Sequence, residues 1–137
     1  MRVCTNCGAQ NRIPARRLAD TGRCGSCKAP LPPQSEPMEV DGAAFAEIAR
    51  ESRVPVLVDF WAPWCGPCRM AAPEVAALAR EMAGRALVLK VNTEEHPDVA
   101  ERFRIQAIPT FLVVRDGQVV FQNAGVVPRA QMRRWLS

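Results

Sequence analysis

The sequence predicts an α/β fold, a mixed central sheet flanked by helices, preceded by a small four-cysteine module. Three observations predict it. From residue 38 onward, short β-rich apolar runs alternate with segments of helical period. One such run, over 54–61, leads straight into Cys65-Gly66-Pro67-Cys68 and a helix-like segment. The other four of the six cysteines all lie before residue 28, in two Cys-x2-Cys pairs.

Residues 1–28 show no sustained period and hold those four cysteines. The next nine residues, 29–37, contain four prolines and read as a semi-rigid extended linker. This divides the chain into a module at 1–28, a linker at 29–37 and a domain at 38–137. Within the domain, residues 38–40 suit a short first strand. Asp41 suits an N-cap for a helix with Phe45, Ile48 and Ala49 on one face. Val54 to Trp61 reads as a strand buried on both faces. A long helix follows over about 65–82, with Pro73 inside it as a kink. Residues 86–91 form the next strand, and Pro97 opens a short helix at its first position. Two runs, 110–115 and 118–122, flank Asp116-Gly117 and predict a two-residue hairpin. A last short helix covers 128–136.

Composition narrows the class. At 137 residues the chain is one domain with a small appendage. No apolar run approaches 18 residues, so no transmembrane helix is expected. The basic N-terminus lacks the apolar stretch of a secretory leader, so a reducing, cytoplasmic setting is expected. Cysteines there are catalytic or metal-binding more often than structural disulfides. The net charge of +4 is uneven. Residues 1–33 carry six basic residues and only Asp20 as an acid, whereas the remainder is near neutral. Such a patch can address nucleic acid or an acidic surface. Metal-bound thiolates nearby account for it better, and nucleic acid is not expected as a partner.

The front pairs, Cys4/Cys7 and Cys24/Cys27, are separated by sixteen residues, a zinc-ribbon spacing. Four thiolates make a closed tetrahedral zinc site without an open catalytic position. Iron–sulfur ligation and two disulfides rank below zinc. Gly8 and Gly25 are expected to supply the permissive backbone of the two knuckles. So few apolar residues lie in 1–28 that the module should need metal to fold, with metal loss sparing residues 38–137.

Cys65 and Cys68 suit a different device. A strand that delivers Cys-x-x-Cys to a helix start makes a redox dithiol, because helix N-terminal N–H groups stabilise a thiolate. No further ligand follows Cys68 nearby to complete a metal clamp. Cys65 is expected with its sulfur exposed and Cys68, one turn on, more buried. Gly66 and Pro67 supply the tight turn between them. Asp59 interrupts the apolar strand. Burial would raise its pKa and suit it to accept a proton from Cys68 through a water; a solvent-facing strand end is the other reading. Trp61 is expected in the core and Trp64 at the surface. His96, the single histidine, is expected as a helix-start or solvent residue.

Residues 38–137 resemble a thioredoxin domain along their whole length. The residues that carry this are Asp59-Phe60-Trp61-Ala62-Pro63-Trp64-Cys65-Gly66-Pro67-Cys68, then Pro73, Lys90, Ile108-Pro109-Thr110 and Gly125. With Cys4, Cys7, Cys24 and Cys27 in front, the whole chain resembles the bacterial type with an N-terminal zinc module. The resemblance implies a thioredoxin fold and a protein-disulfide reductase that is itself reduced by thioredoxin reductase. NADPH then acts only indirectly, no organic cofactor is bound, and the structural group is one zinc ion. Disulfide-containing client proteins are the implied substrates, and a monomer is expected.

The resemblance also implies roles. Cys65 attacks a client disulfide and Cys68 resolves the mixed disulfide. An ordinary cysteine, with a pKa of ~8.5, is only about 3% thiolate at pH 7. The depression of the first cysteine toward neutrality is a known property of thioredoxin, not a deduction from this chain. Asp59 is the proton acceptor, with Lys90 as its charge neighbour. A cis peptide before Pro109 lies beside the dithiol, where the Ile108 backbone can pair with an extended client. Trp64, Ile108, Gly125 and Val126 form the groove around it, with Gly66 and Pro67 at its floor. An oxidase or isomerase and a binding module are the competing classes. Gly66-Pro67 between the cysteines resembles reductases more than oxidising relatives.

Overall fold

The computed structural model describes residues 2–137. The front of the chain is built from two matching hairpins. β1 (Arg2–Val3) pairs antiparallel with β2 (Gln10–Asn11), and β3 (Gly22–Arg23) with β4 (Pro30–Leu31). Each hairpin closes over a cysteine pair with the same bonds twenty residues apart. Cys4 N–H donates to Ala9 O at 2.8 Å, and Cys24 N–H to Ala29 O at 2.8 Å. Gly8 N–H donates to Cys4 O, and Lys28 N–H to Cys24 O. The left-handed positions are therefore Gly8 (φ 79°) and Lys28 (φ 64°), not Gly25. The second knuckle places the strain one step after its second cysteine, just as the first does. The Lys28 Nζ donates to Gly25 O at 3.1 Å.

Pro30 and Leu31, which the sequence places in the linker, thus act as the closing strand of the second hairpin. Leu31 is buried against Cys4 and Cys24.

The main sheet has five strands in the order β5-β7-β6-β8-β9. β5 (Met38–Glu39) and β6 (Val56–Trp61) run parallel to β7 (Leu87–Asn92). β8 (Thr110–Arg115) runs antiparallel to both β6 and β9 (Gln118–Ala124). Alternation along the strands sends Val58, Phe60 and Leu89 to one face and Leu57, Val88 and Phe111 to the other. The first face is covered by α1 (Gly42–Glu51) and α3 (Pro97–Arg102) through Phe45, Ile48 and Val99. The second is covered by α2 (Gly66–Glu81) and α4 (Arg129–Leu136) through Val75, Leu78, Met132 and Leu136.

Local chemistry sets the ends of these elements. Asp41 caps α1 by accepting from Ala44 N–H at 2.8 Å. Asp116 and Gly117 both take positive φ, 51° and 78°, as a two-residue hairpin turn demands. α4 starts at Pro128 without a side-chain cap. Arg129 and Arg133 tie it instead to Glu74 and Glu81 of α2.

The front module does not hang free. Leu18, only 7% exposed, lies in the same apolar cluster as Val40, Phe45 and Ile48. Ile13, Ala15 and Ala19 pack against it. Arg2 fastens the arrangement from the other side, donating to Leu18 O at 3.0 Å and Pro32 O at 2.6 Å. Sequence period could not show this. A single leucine in an irregular segment has no partner until the sheet and α1 bring one to it.

Candidate functional site

β6 ends at Trp61 and α2 begins at Gly66 with four residues between, so the cysteine pair sits where a strand feeds a helix start. Cys65 is the N-cap of α2, and Cys68 N–H donates to Cys65 Sγ at 3.2 Å. Pro67 occupies the first turn, where its missing N–H costs no helical bond. The two cysteines are joined as a disulfide with Cα atoms 5.2 Å apart.

The expected contrast in burial is not found. Cys65 is 4% exposed and Cys68 5%, both covered by Ala62, Trp61 and Ile108. In the oxidised pair, exposure therefore cannot assign the roles. Position can, because Cys65 Sγ alone is the capping acceptor of the helix N–H groups.

The neighbouring loop closes the other side. The Ile108–Pro109 peptide is cis. Ile108 O lies 3.7 Å from Cys65 Sγ, and Gly125 N–H donates to Pro109 O at 2.9 Å. This brings Ile108 to the disulfide and Gly125 to Pro109. Trp64, just before Cys65, is 66% exposed and Met70, just after Cys68, 73%; Val126, next to Gly125, is 46% exposed. Gly66 and Pro67 are exposed, and Trp61 is half-buried.

Asp59 is 2% exposed, on the same sheet face as Leu57 and therefore beneath α2. Burial lifts its carboxyl from 3.8 to about 7; Lys90 pulls it back and Glu39 pushes it up. Its Oδ1 accepts no hydrogen bond. Lys90 is the register neighbour of Asp59 across β6 and β7. Yet no ion pair within bonding distance joins them among the described residues; the Lys90 ammonium lies 4.5 Å over the Trp61 ring. His96 starts α3 without a side-chain cap bond, and Pro73 is an exposed residue inside α2.

Three supports went unnoticed in the sequence. Arg69 donates from Nε and a terminal nitrogen to Pro63 O, at 3.0 and 2.6 Å, fixing the loop before Cys65. Buried Thr110 donates to Ala107 O at 2.5 Å and holds the loop at Pro109. Asn6 and Asn11 donate to Cys27 and Cys24 sulfurs at 3.4 and 3.6 Å.

The front cysteines converge as their spacing requires. All four are free thiols, and the four Sγ atoms lie within 4.8 Å of one another. Cys4–Cys27 and Cys7–Cys24 sulfurs are 3.6 Å apart. A tetrahedral zinc with Zn–S near ~2.3 Å needs sulfurs about 3.8 Å apart, so the residues fit the ion. The Cys27 backbone N–H, then Asn11 and the Ser26 N–H, pull Cys24 down to about 6 and favour its thiolate.

Comparison with known proteins accounts for both parts. The thioredoxin family model matches residues 36–137, and that of the thioredoxin 2 N-terminal segment matches residues 3–29. Thioredoxin C-3 of Corynebacterium nephridii is 36% identical over 134 residues, covering 98% of this chain and 91% of that protein. Thioredoxin 1 of Synechococcus elongatus is 47% identical over 97 residues, covering 71% of this chain and 91% of its own. Among solved structures, a single-site mutant of a thioredoxin from Halobacterium salinarum superposes with a TM-score of 0.70 at 29% identity. It covers 75% of this chain and 89% of its own. Chloroplastic thioredoxin z gives 0.67 at 33%, covering 74% and 91%. Fold, cysteine pair and sequence agree over the greater part of the chain, and the protein belongs to the thioredoxin family as a thiol–disulfide oxidoreductase.

Proposed function

We propose that the protein is a protein-disulfide reductase that works through Cys65-Gly66-Pro67-Cys68, is regenerated by thioredoxin reductase, and carries one structural zinc. The observation that carries this reading is the capped sulfur of Cys65 beside the open backbone of Ile108. In the reduced protein the Cys65 thiolate attacks one sulfur of a client disulfide. A mixed disulfide forms, and the client's other sulfur leaves as a thiolate. Asp59 then takes the Cys68 proton on its unpaired oxygen. The Cys68 thiolate attacks Cys65 Sγ, the client's second thiolate leaves, and the Cys65–Cys68 bond closes. Two electrons pass from the pair to the client. An extended client segment lies against Ile108 and Pro109, with Trp64, Gly125 and Val126 as its apolar contacts and Gly66 and Pro67 beneath. The proton step predicts a rate that rises as Asp59 ionises, through about pH 7.

Zinc held by Cys4, Cys7, Cys24 and Cys27 fixes the two knuckles and does no chemistry on the client. The domain reading is a metal module at 1–28, a connection at 29–37 and a redox domain at 38–137, acting as a monomer in the cytoplasm. Among the described residues, no helix is long and apolar enough to cross a membrane.

The test is insulin-disulfide reduction coupled to NADPH and thioredoxin reductase. Turnover that depends on this protein is expected, with one zinc per chain by elemental analysis. No turnover in folded, zinc-loaded protein would overturn the reductase reading.

The seating of Leu18 changes the expected effect of metal removal on residues 38–137. Burying one leucine is worth about 1.5–3 kcal/mol. Chelation should therefore lower the urea midpoint of the main domain, read by tryptophan fluorescence. Leu18→Ala should cost about 2–3 kcal/mol while zinc stays bound. A midpoint untouched by chelation would restore the picture of an independent front module.

A further inference from the structure

Glu39 is absent from every role assigned so far, yet it shares a row with the two residues that govern the proton step. β5, β7 and β6 are consecutive in the sheet. Glu39 pairs in register with Lys90, and Lys90 pairs in register with Asp59. Register neighbours in a sheet project from the same face. One lysine therefore stands between two carboxylates, each one strand away.

Lys90 is committed to neither. Among the described residues, no carboxylate comes within ion-pairing distance of its ammonium, which rests 4.5 Å over Trp61. The two acids differ in surroundings. Asp59 is buried beneath α2, whereas Glu39 lies exposed at the mouth of a cleft of about 550 Å³. Trp61 lines that cleft too, so the ring under the ammonium joins the exposed acid to the buried one. A long lysine side chain can swing toward either neighbour, and its swing toward one leaves the other less stabilised as an anion.

We propose that Glu39 is a positioning residue for the proton step, which acts by competing with Asp59 for Lys90 and so sets how tightly Asp59 holds a proton. The proposal rests on the reductase reading of Asp59. Glu39 on β5 keeps Lys90 turned outward while Asp59 awaits the Cys68 proton. Once Asp59 is protonated, nothing draws the ammonium inward. When it ionises, the two acids again compete for one cation. The other charged groups around the cleft are Asp41 at the α1 cap and Glu95 and His96 before α3. Desolvation at the cleft wall raises the Glu39 carboxyl most; Lys90 and then Trp61 lower it, with smaller effects of Glu95 upward and His96 downward. The charged groups that act on Asp59 itself are Lys90 and Glu39; Cys68 belongs to α2, the helix over its face of the sheet.

The experiment follows the Asp59 carboxyl of the reduced, zinc-loaded full chain by carbon-13 NMR between pH 4 and 10. Wild type, Glu39→Gln, Lys90→Gln and the double variant are compared. Glu39→Gln is expected to lower the Asp59 midpoint by more than about half a pH unit, the scale of the direct field alone between like charges ~10 Å apart at a half-solvated edge. Lys90→Gln is expected to raise it. In the Lys90→Gln background, Glu39→Gln should have less than half its original effect. Glu39→Asp, which keeps the charge, should restore most of the wild-type midpoint. An Asp59 midpoint unmoved by Glu39→Gln would overturn the proposal. So would an equal shift with and without Lys90, which would mean a direct field and no competition. The titration needs no client and no reductase. Normal midpoints without insulin turnover would refute the reductase reading and leave this coupling standing.

Discussion

Cys65→Ser is expected to abolish client reduction, lowering turnover by roughly a thousandfold or more. Cys68→Ser is expected to halt the reaction one step later. The reason is the asymmetry of the helix start, not exposure. Both cysteines are nearly equally buried. Only Cys65 sits at the N-cap, where it accepts the Cys68 N–H and faces the positive end of α2. Its thiolate is the one the fold stabilises. Cys68 lies inside the first turn; on the proposed mechanism Asp59 takes its proton and it attacks a bond already formed to Cys65. With Cys68→Ser the first exchange proceeds and the second cannot, so a client–protein mixed disulfide accumulates. Mass spectrometry after a non-reducing quench reads this directly. A stable adduct on Cys65→Ser, and none on Cys68→Ser, would reverse the assignment.

Asp59→Asn is expected to stabilise the protein at pH 8 by about 4 kcal/mol while slowing resolution near neutrality. The sign follows from where the carboxyl titrates. In the folded protein burial holds it at about 7, against 3.8 for an ordinary aspartate. Below about pH 4 both folded and unfolded chains are protonated, and the residue costs nothing. Between 4 and 7 the unfolded chain has released the proton and the folded one still holds it. Folding stability therefore falls across that window. Above about 7 the whole penalty is present. Asparagine never ionises, so the variant gains most at pH 8 and little at pH 4. Urea unfolding of the oxidised variant and wild type at both pH values measures it. An equal difference at the two pH values would show that packing, not ionisation, distinguishes them. On the proposed mechanism, turnover of the same variant should lose the rise through pH 7, because asparagine cannot take the Cys68 proton.

A residue so costly to fold marks a place where stability is given up for chemistry. Three strand neighbours of Asp59, namely Val58, Phe60 and Phe111, are fully buried hydrophobics. A hydrophobic residue there would suit the core and, on the proposed mechanism, leave Cys68 without an acceptor.

Legibility in the sequence tracked how local the physics was. The N-cap at Asp41, the hairpin turn at Asp116-Gly117 and the cysteine pair at a helix start are short-range features. Each is fixed by a few neighbouring residues, and the structure has all three. The four front cysteines also converge, because two tight knuckles leave their sulfurs little freedom. The second knuckle was misread in detail. Glycine marks permissive backbone, so the sequence points to Gly25, but Lys28 takes the left-handed position. Pro30 and Leu31 read as linker because proline disfavours strands, yet an edge pairing of two residues tolerates it.

By itself the sequence determined the α/β order, the cysteine pair at a helix start, the four-thiol module and, through resemblance, the family. Periodicity, turn chemistry and ligand spacing act over a few residues and are written along the chain. Only the tertiary structure decided that Leu18 enters the main core, that both cysteines of the pair are covered, and that Glu39 and Asp59 flank one lysine. Those facts depend on which strands become neighbours and which helix covers them. Contacts of that kind arise between residues distant in the chain, where no local preference records them.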